Sequence, residues 1–238
     1  MLSKIYVVSN SPYVKSIETI YKYFGFRSPL QFVPAVQTLT PPKKNEVYTE
    51  HQIRYHPNPL PYCHLFYPST DRDYEYAVNH WLVWKTIESD ILRGSLRIHD
   101  DSYFLILDND ISFNHTMSNS MLYYDYILSD IKKMPILHSW DIIYLSYEAD
   151  FHRKMSAEKT ILITPRVGIP THRVHLNGAY LLSIRGLRKL LTASFHKEIQ
   201  PINKYFHYLQ HDSMHTPIAD LLYIYYSTVP VFKRHLHC

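Results

Sequence analysis

The chain has 238 residues, 46% of them hydrophobic and 19% charged, a composition that can bury a sizeable core and lies far from that of a disordered chain. Its 25 basic and 21 acidic residues leave a formal net charge of +4; the basic residues cluster only as Lys43-Lys44 and Lys132-Lys133, which suits an anionic small ligand and argues against nucleic acid. Five glycines, too scattered to spell either common glycine-rich phosphate loop, and two cysteines, Cys63 and Cys238, outside any C-x-x-C pair, exclude those nucleotide motifs, a disulfide framework and a cysteine zinc site.

At this length a single domain over residues 1–238 is expected. Met1 runs straight into a strand-like segment without a secretory leader, and no apolar stretch approaches the roughly 20 residues that cross a bilayer. The expectation is therefore a cytoplasmic protein that begins at Met1 and has no transmembrane segment. Lys4 to Ser9 is apolar and β-branched without polar alternation and reads as a strand buried on both faces. Residues 14–24 carry a helical period that Gly25 ends, and residues 30–36 read as a second strand, completing a β-α-β unit. From Thr38 to Thr70 six prolines interrupt the chain, which reads as a long irregular segment bordering a functional site.

Residues 73–92 return to helical spacing through Ala77, Trp81, Trp84, Ile87 and Ile91. The run from Tyr103 to Leu107 is a strand, with a second short strand at 111–113 and a helix over 121–134 stopped by Pro135. Residues 140–145 and 160–164 are strand candidates, Ser183 is a helix N-cap for residues 184–191, and residues 221–226 and 229–232 are apolar segments in the tail. Strands alternating with helices predict an α/β class with a mixed sheet covered on both faces.

The segment Leu107-Asp108-Asn109-Asp110 carries the sharpest chemical signal. Packing does not explain two carboxylates at the end of a buried strand, because unpaired buried charge is costly. Two hard oxygen donors near one point suit Mg²⁺ or Mn²⁺ bridging nucleotide phosphates. A solvated turn is the plain alternative, since Asp and Asn favour turns.

Six segments, in order, resemble motifs of glycosyltransferase family 25, the lipooligosaccharide and collagen hydroxylysine galactosyltransferases. They are residues 5–10 ending in Asn10, residues 32–36, residues 73–84 containing His80, residues 104–113 containing the Asp-Asn-Asp triplet, residues 140–145, and residues 178–191. The resemblance implies a GT-A-like nucleotide-sugar-binding fold and transfer of a hexose, galactose or glucose, from a UDP-sugar to the hydroxyl of a glycan or hydroxylated protein, with inversion. It implies Asp108 and Asp110 as ligands to Mn²⁺ or Mg²⁺, with His235 and His237 as late ligands near the C-terminus, and Asn10, His80, Asp108, Asn109 and Asp110 around the donor.

The departures matter as much. Asn109 replaces the middle acid of the family's triplet, and the motif that supplies the family's base has two candidates: residues 201–206, with Asn203 where the acid belongs, and residues 217–222, with Asp220 one position out of step. An amide cannot be a general base: if residues 201–206 are the match, the protein is impaired or draws its base from elsewhere, and if residues 217–222 are the match, Asp220 is the expected base. A catalytically impaired glycan- or partner-binding protein on the same scaffold is the alternative. Trp81 and Trp84 read as core rather than as sugar platforms, and the sequon at Asn114 reads as incidental.

Overall fold

Burial on both faces of the N-terminal strand is the first feature of the sequence to be realised. The structure, a computed structural model, describes residues 1–10, 22–23, 28–36, 54–55, 71–108, 110–114, 120–134, 139–149, 160–170, 174–192, 198–199, 202, 206 and 221–234. In chain order its elements are β1 (Leu2–Val8), β2 (Leu30–Val33), β3 (Arg54–Tyr55), α1 (Asp71–Leu92), β4 (Tyr103–Asp108), β5 (Ile111–Phe113), α2 (Ser120–Lys132), β6 (Ile142–Ala149), β7 (Thr160–Thr164), β8 (Val167–Pro170), β9 (Val174–Ser183), α3 (Ile184–Thr192), β10 (Glu198–Ile199), β11 (Ile224–Ser227) and β12 (Phe232–Arg234). Eight strands form one sheet in the order β2-β1-β4-β9-β6-β11-β8-β7, and two small ladders pair β10 with β3 and β12 with β5.

Strands β2, β1 and β4 run parallel, β9 runs antiparallel to both β4 and β6, and β11 is parallel to β6. Alternate side chains therefore feed two cores. Tyr6, Val8, Phe104, Ile106, Tyr180 and Leu182 pack with α1 and α3 on one face, whereas Ile5, Val7, Leu105, Leu107 and Leu181 pack with α2 and the β5–β12 ladder on the other. The protein is thus α/β, with a mixed central sheet flanked by helices, an arrangement consistent with a GT-A-like fold. Among the described residues no helix is long and apolar enough to cross a membrane.

The structure departs from the sequence reading at four strands, one of them the two-residue β10. Strand β9, with neighbours on both sides in the middle of the sheet, was not among the expected strands, because Asn177-Gly178 inside it has the composition of a turn. Gly178 has φ +82, and the β6–β9 register shifts between Tyr144 and Tyr147. The apparent turn is thus an irregularity within a continuous strand, where Gly supplies a backbone conformation costly for other residues. Strand β8, interrupted by Gly168 and ended by Pro170, was missed for the same reason. Within the segment expected to be irregular, Arg54 and Tyr55 form β3; its other residues lie outside those described, as does most of the predicted helix over 14–24.

Two polar clusters tie helices to the sheet. At the end where β6 begins, Asp141 is fully buried and receives Arg185 Nε at 2.6 Å, Lys189 Nζ at 2.9 Å and the Tyr223 backbone N–H at 2.8 Å. Close approach of α3 makes this possible: a Cβ on Gly186 would lie 2.5 Å from the Asp141 carbonyl oxygen. Ser183 caps α3 as expected, its Oγ accepting from the Gly186 N–H at 2.9 Å. The second cluster joins β1 to α1, where Lys4 Nζ and the Tyr6 hydroxyl both donate to Asp90 Oδ2, at 2.7 and 2.8 Å.

Three outcomes follow from this packing. Asp141→Ala strands the buried Lys189 ammonium and should cost about 3–5 kcal/mol, read as a lower urea midpoint. Gly178→Ala forces a left-handed backbone on a residue with a Cβ and should lose about 1–3 kcal/mol, read as a lower Tm. Burial acts to raise the pKa of Asp90, but the hydrogen bonds from Lys4 and Tyr6 and the Lys4 charge outweigh it and hold it below 3.8. A depressed carboxylate stabilises the fold above its unfolded pKa and loses that contribution as pH falls through the folded value. Asp90→Asn should therefore flatten the acid limb of stability below about pH 4, measured by denaturation across pH.

Candidate functional site

In an open α/β sheet, ligands bind beyond the carboxyl ends of the strands, at the point where the strand order reverses direction. Here that point is β1, because the chain passes from β1 to β2 on one side and later enters β4 on the other. Val8 of β1 pairs with Asp108 of β4, so the chain leaving β1 through Ser9 and the exposed Asn10 emerges beside the chain leaving β4 through Asp108. The topology alone brings Asn10 and Asp108 to one edge of the sheet.

Strand β4 is buried at all six positions, and its last residue, Asp108, is only 5% exposed. Two features accommodate this carboxylate. On β9, Gly178 leaves room for it: a Cβ there would stand 2.8 Å from Asp108 Oδ2 and 2.9 Å from the Ile111 side chain. From α1, fully buried His80 brings Nε2 to 3.5 Å from Asp108 Oδ1. Asp110 occupies the turn between β4 and β5 and is half-buried.

Behind Asp108 lies a group of buried polar side chains that the sequence reading did not assemble. His80 Nδ1 is 3.0 Å from the Tyr180 hydroxyl, and Trp84 Nε1–H donates to the same hydroxyl oxygen at 3.0 Å. Burial holds the pKa of the Tyr180 phenol well above 10.0, so it carries its proton throughout the neutral range. The Tyr76 ring meets His80 edge-on, with centroids 4.4 Å apart. Tyr76, His80 and Trp84 are spaced by four residues and share one face of α1, a periodicity visible in the sequence. Tyr180 carries no local mark of its role. Trp81 and Trp84 are 9% and 3% exposed and belong to the core, as expected.

The expected donor residue His80 therefore meets the site from beneath, through Asp108, and has no exposed surface of its own. Asn109, Asn203, Asp220, His235 and His237 lie outside the described residues. The last described residue, Arg234, pairs with Ile111, next to Asp110. Among the described residues no group of three or more His, Cys, Asp or Glu side chains is arranged to hold a metal ion. Asn114 of the sequon is buried, its amide donating to the Pro230 carbonyl at 3.0 Å, which agrees with the expectation that the sequon is incidental.

Comparison with known proteins shows a distant similarity. No family model matches the chain. Over 162 residues it is 23% identical to procollagen galactosyltransferase 1 from Danio rerio, in a match covering 65% of this chain and 24% of that protein. The chain thus spans about a quarter of that relative's length. At this identity the similarity supports a distant, glycosyltransferase-like relationship.

Proposed function

We propose that the chain is a metal-dependent glycosyltransferase that moves a hexose, galactose or glucose, from a UDP-sugar to a hydroxyl of a glycan or hydroxylated protein. The observation that carries this reading is a buried carboxylate, Asp108, at the carboxyl end of β4 where the strand order reverses, with Asp110 two residues beyond it. Distant similarity to procollagen galactosyltransferase 1 supports the glycosyltransferase part of this reading.

Asp108 and Asp110 offer oxygen donors only, a set that fits Mn²⁺ or Mg²⁺, and in this reading they hold the cation, with His235 or His237 as further ligands. A bound divalent ion supplies Lewis-acid charge for the diphosphate that departs. Asn10, at the same edge, and Asn109, between the two acids in the sequence, contribute hydrogen bonds to the donor. Asp220 takes the acceptor's hydroxyl proton as the new bond to the anomeric carbon forms and the bond from that carbon to the diphosphate oxygen breaks, releasing UDP with inversion.

A second reading, a glycan- or partner-binding protein on a degenerate scaffold, is favoured by Asn109 and Asn203, the two amides standing where the resemblance expects acids. Turnover separates the two readings.

UDP release from a panel of UDP-sugars with Mn²⁺ should be detectable and should stop on adding chelator; binding of UDP without release in any combination would favour the second reading. Asp108→Asn and Asp110→Asn should abolish the calorimetric binding of UDP with Mn²⁺ while the circular dichroism spectrum stays unchanged, and retention of wild-type affinity in the folded double variant refutes the metal assignment. Asp220→Asn should keep that binding and lower transfer by roughly 10² to 10⁴.

A further inference from the structure

The buried polar group behind Asp108 has a direction that its chemistry dictates. Four side chains take part: Trp84 at 3%, Tyr180 and His80 at 0% and Asp108 at 5% exposure. An indole N–H donates and cannot accept. The Tyr180 oxygen therefore accepts from Trp84, and its single proton must go to the other polar atom within reach, His80 Nδ1 at 3.0 Å. A neutral imidazole that accepts at Nδ1 carries its proton on Nε2. Nε2 is the nitrogen 3.5 Å from Asp108 Oδ1.

We infer that Trp84, Tyr180 and His80 form a one-way hydrogen-bond chain that holds His80 as the Nε2–H tautomer and thereby positions the Asp108 carboxylate for its cation. This inference rests on the reading of Asp108 as a metal ligand. The final contact is longer than an ordinary hydrogen bond. His80 therefore acts on Asp108 as an oriented N–H dipole facing a carboxylate oxygen within a buried site. On the opposite side, the space left by Gly178 receives Oδ2. One oxygen of the carboxylate thus faces the His80 dipole and the other the space beside Gly178. His80, Tyr180 and Trp84 are positioning residues, since each acts through Asp108. Carboxylate ligands to metals are commonly held in this way by outer partners, whose loss weakens metal affinity by about 10- to 100-fold.

Tyr180→Phe removes the hydroxyl and keeps the ring, and Trp84→Phe removes the indole N–H donor and leaves a smaller aromatic ring in the core. Both variants and the wild type are compared as full-length, metal-free protein, with thermal melts confirming that each is folded. Long-range ¹H–¹⁵N spectra of histidine report the tautomer without reference to metal or activity, and calorimetry with Mn²⁺ alone reports the affinity. The wild type should show His80 as the Nε2–H form. Tyr180→Phe should populate the Nδ1–H form and weaken Mn²⁺ by about 10-fold or more, and Trp84→Phe should change both in the same direction by less. An Nδ1–H tautomer in the wild type, or an unaltered tautomer in Tyr180→Phe, overturns the chain. A wild type that binds Mn²⁺ and a Tyr180→Phe variant that binds it equally well overturn the positioning role alone. A wild type that binds no Mn²⁺ overturns the metal reading and the positioning role with it, while the tautomer spectra still decide the direction of the chain.

Discussion

A carboxylate at the end of a fully buried strand is the constraint around which the described part of the molecule is organised. Asp108 follows five apolar residues with almost no exposed surface, and an ion in such a place needs compensation close at hand. Both neighbouring elements bear the mark of it. Strand β9 gives up a side chain and adopts a left-handed backbone at Gly178, and helix α1 turns a histidine inward at a position that packing alone would assign to an apolar residue. The irregularity of β9 is therefore coupled to the acid on β4: the same glycine that breaks the register with β6 clears the volume beside Oδ2.

The two ends of the sheet divide their tasks. At the carboxyl ends of β1 and β4, the buried imidazole of His80 and the space beside Gly178 meet the Asp108 carboxylate. At the opposite end, Asp141 is matched by Lys189, Arg185 and a backbone N–H, an ion cluster whose role is to seat α3 on the strands. Similar burial thus produces different chemistry. Asp141 is charge-matched by Lys189 and Arg185 and is structural, whereas the described contacts of Asp108 are with the His80 imidazole and the space beside Gly178.

Tyrosine, abundant in this chain, does much of the work elsewhere done by phenylalanine. Tyr6, Tyr144, Tyr180 and Tyr226 are buried on the sheet face that meets α1 and α3, and a phenol in the core needs a hydrogen-bond partner for its hydroxyl. Tyr6 finds Asp90 and Tyr180 finds His80 and Trp84. The first pairing anchors a helix, while the second lies directly behind the candidate ligand.

The sequence by itself determined the α/β class, the helix over residues 73–92, which begins two residues earlier in the structure, the strand that ends in Asp108, and the N-cap at Ser183, because each depends on local periodicity, length and capping chemistry that the chain displays wherever it is placed. It also showed the Asp108/Asp110 pair, since two acids closing an apolar run are conspicuous at short range. Strand β9 was hidden by Asn177-Gly178, which is turn-like in isolation and becomes an irregular strand only when β4 and β6 pair on either side. The link between Tyr180, His80 and Asp108 spans 100 residues in one step and obeys no local period, so only the tertiary structure could decide it: three segments distant in sequence meet at one sheet edge, where burial requires each polar atom to find a partner.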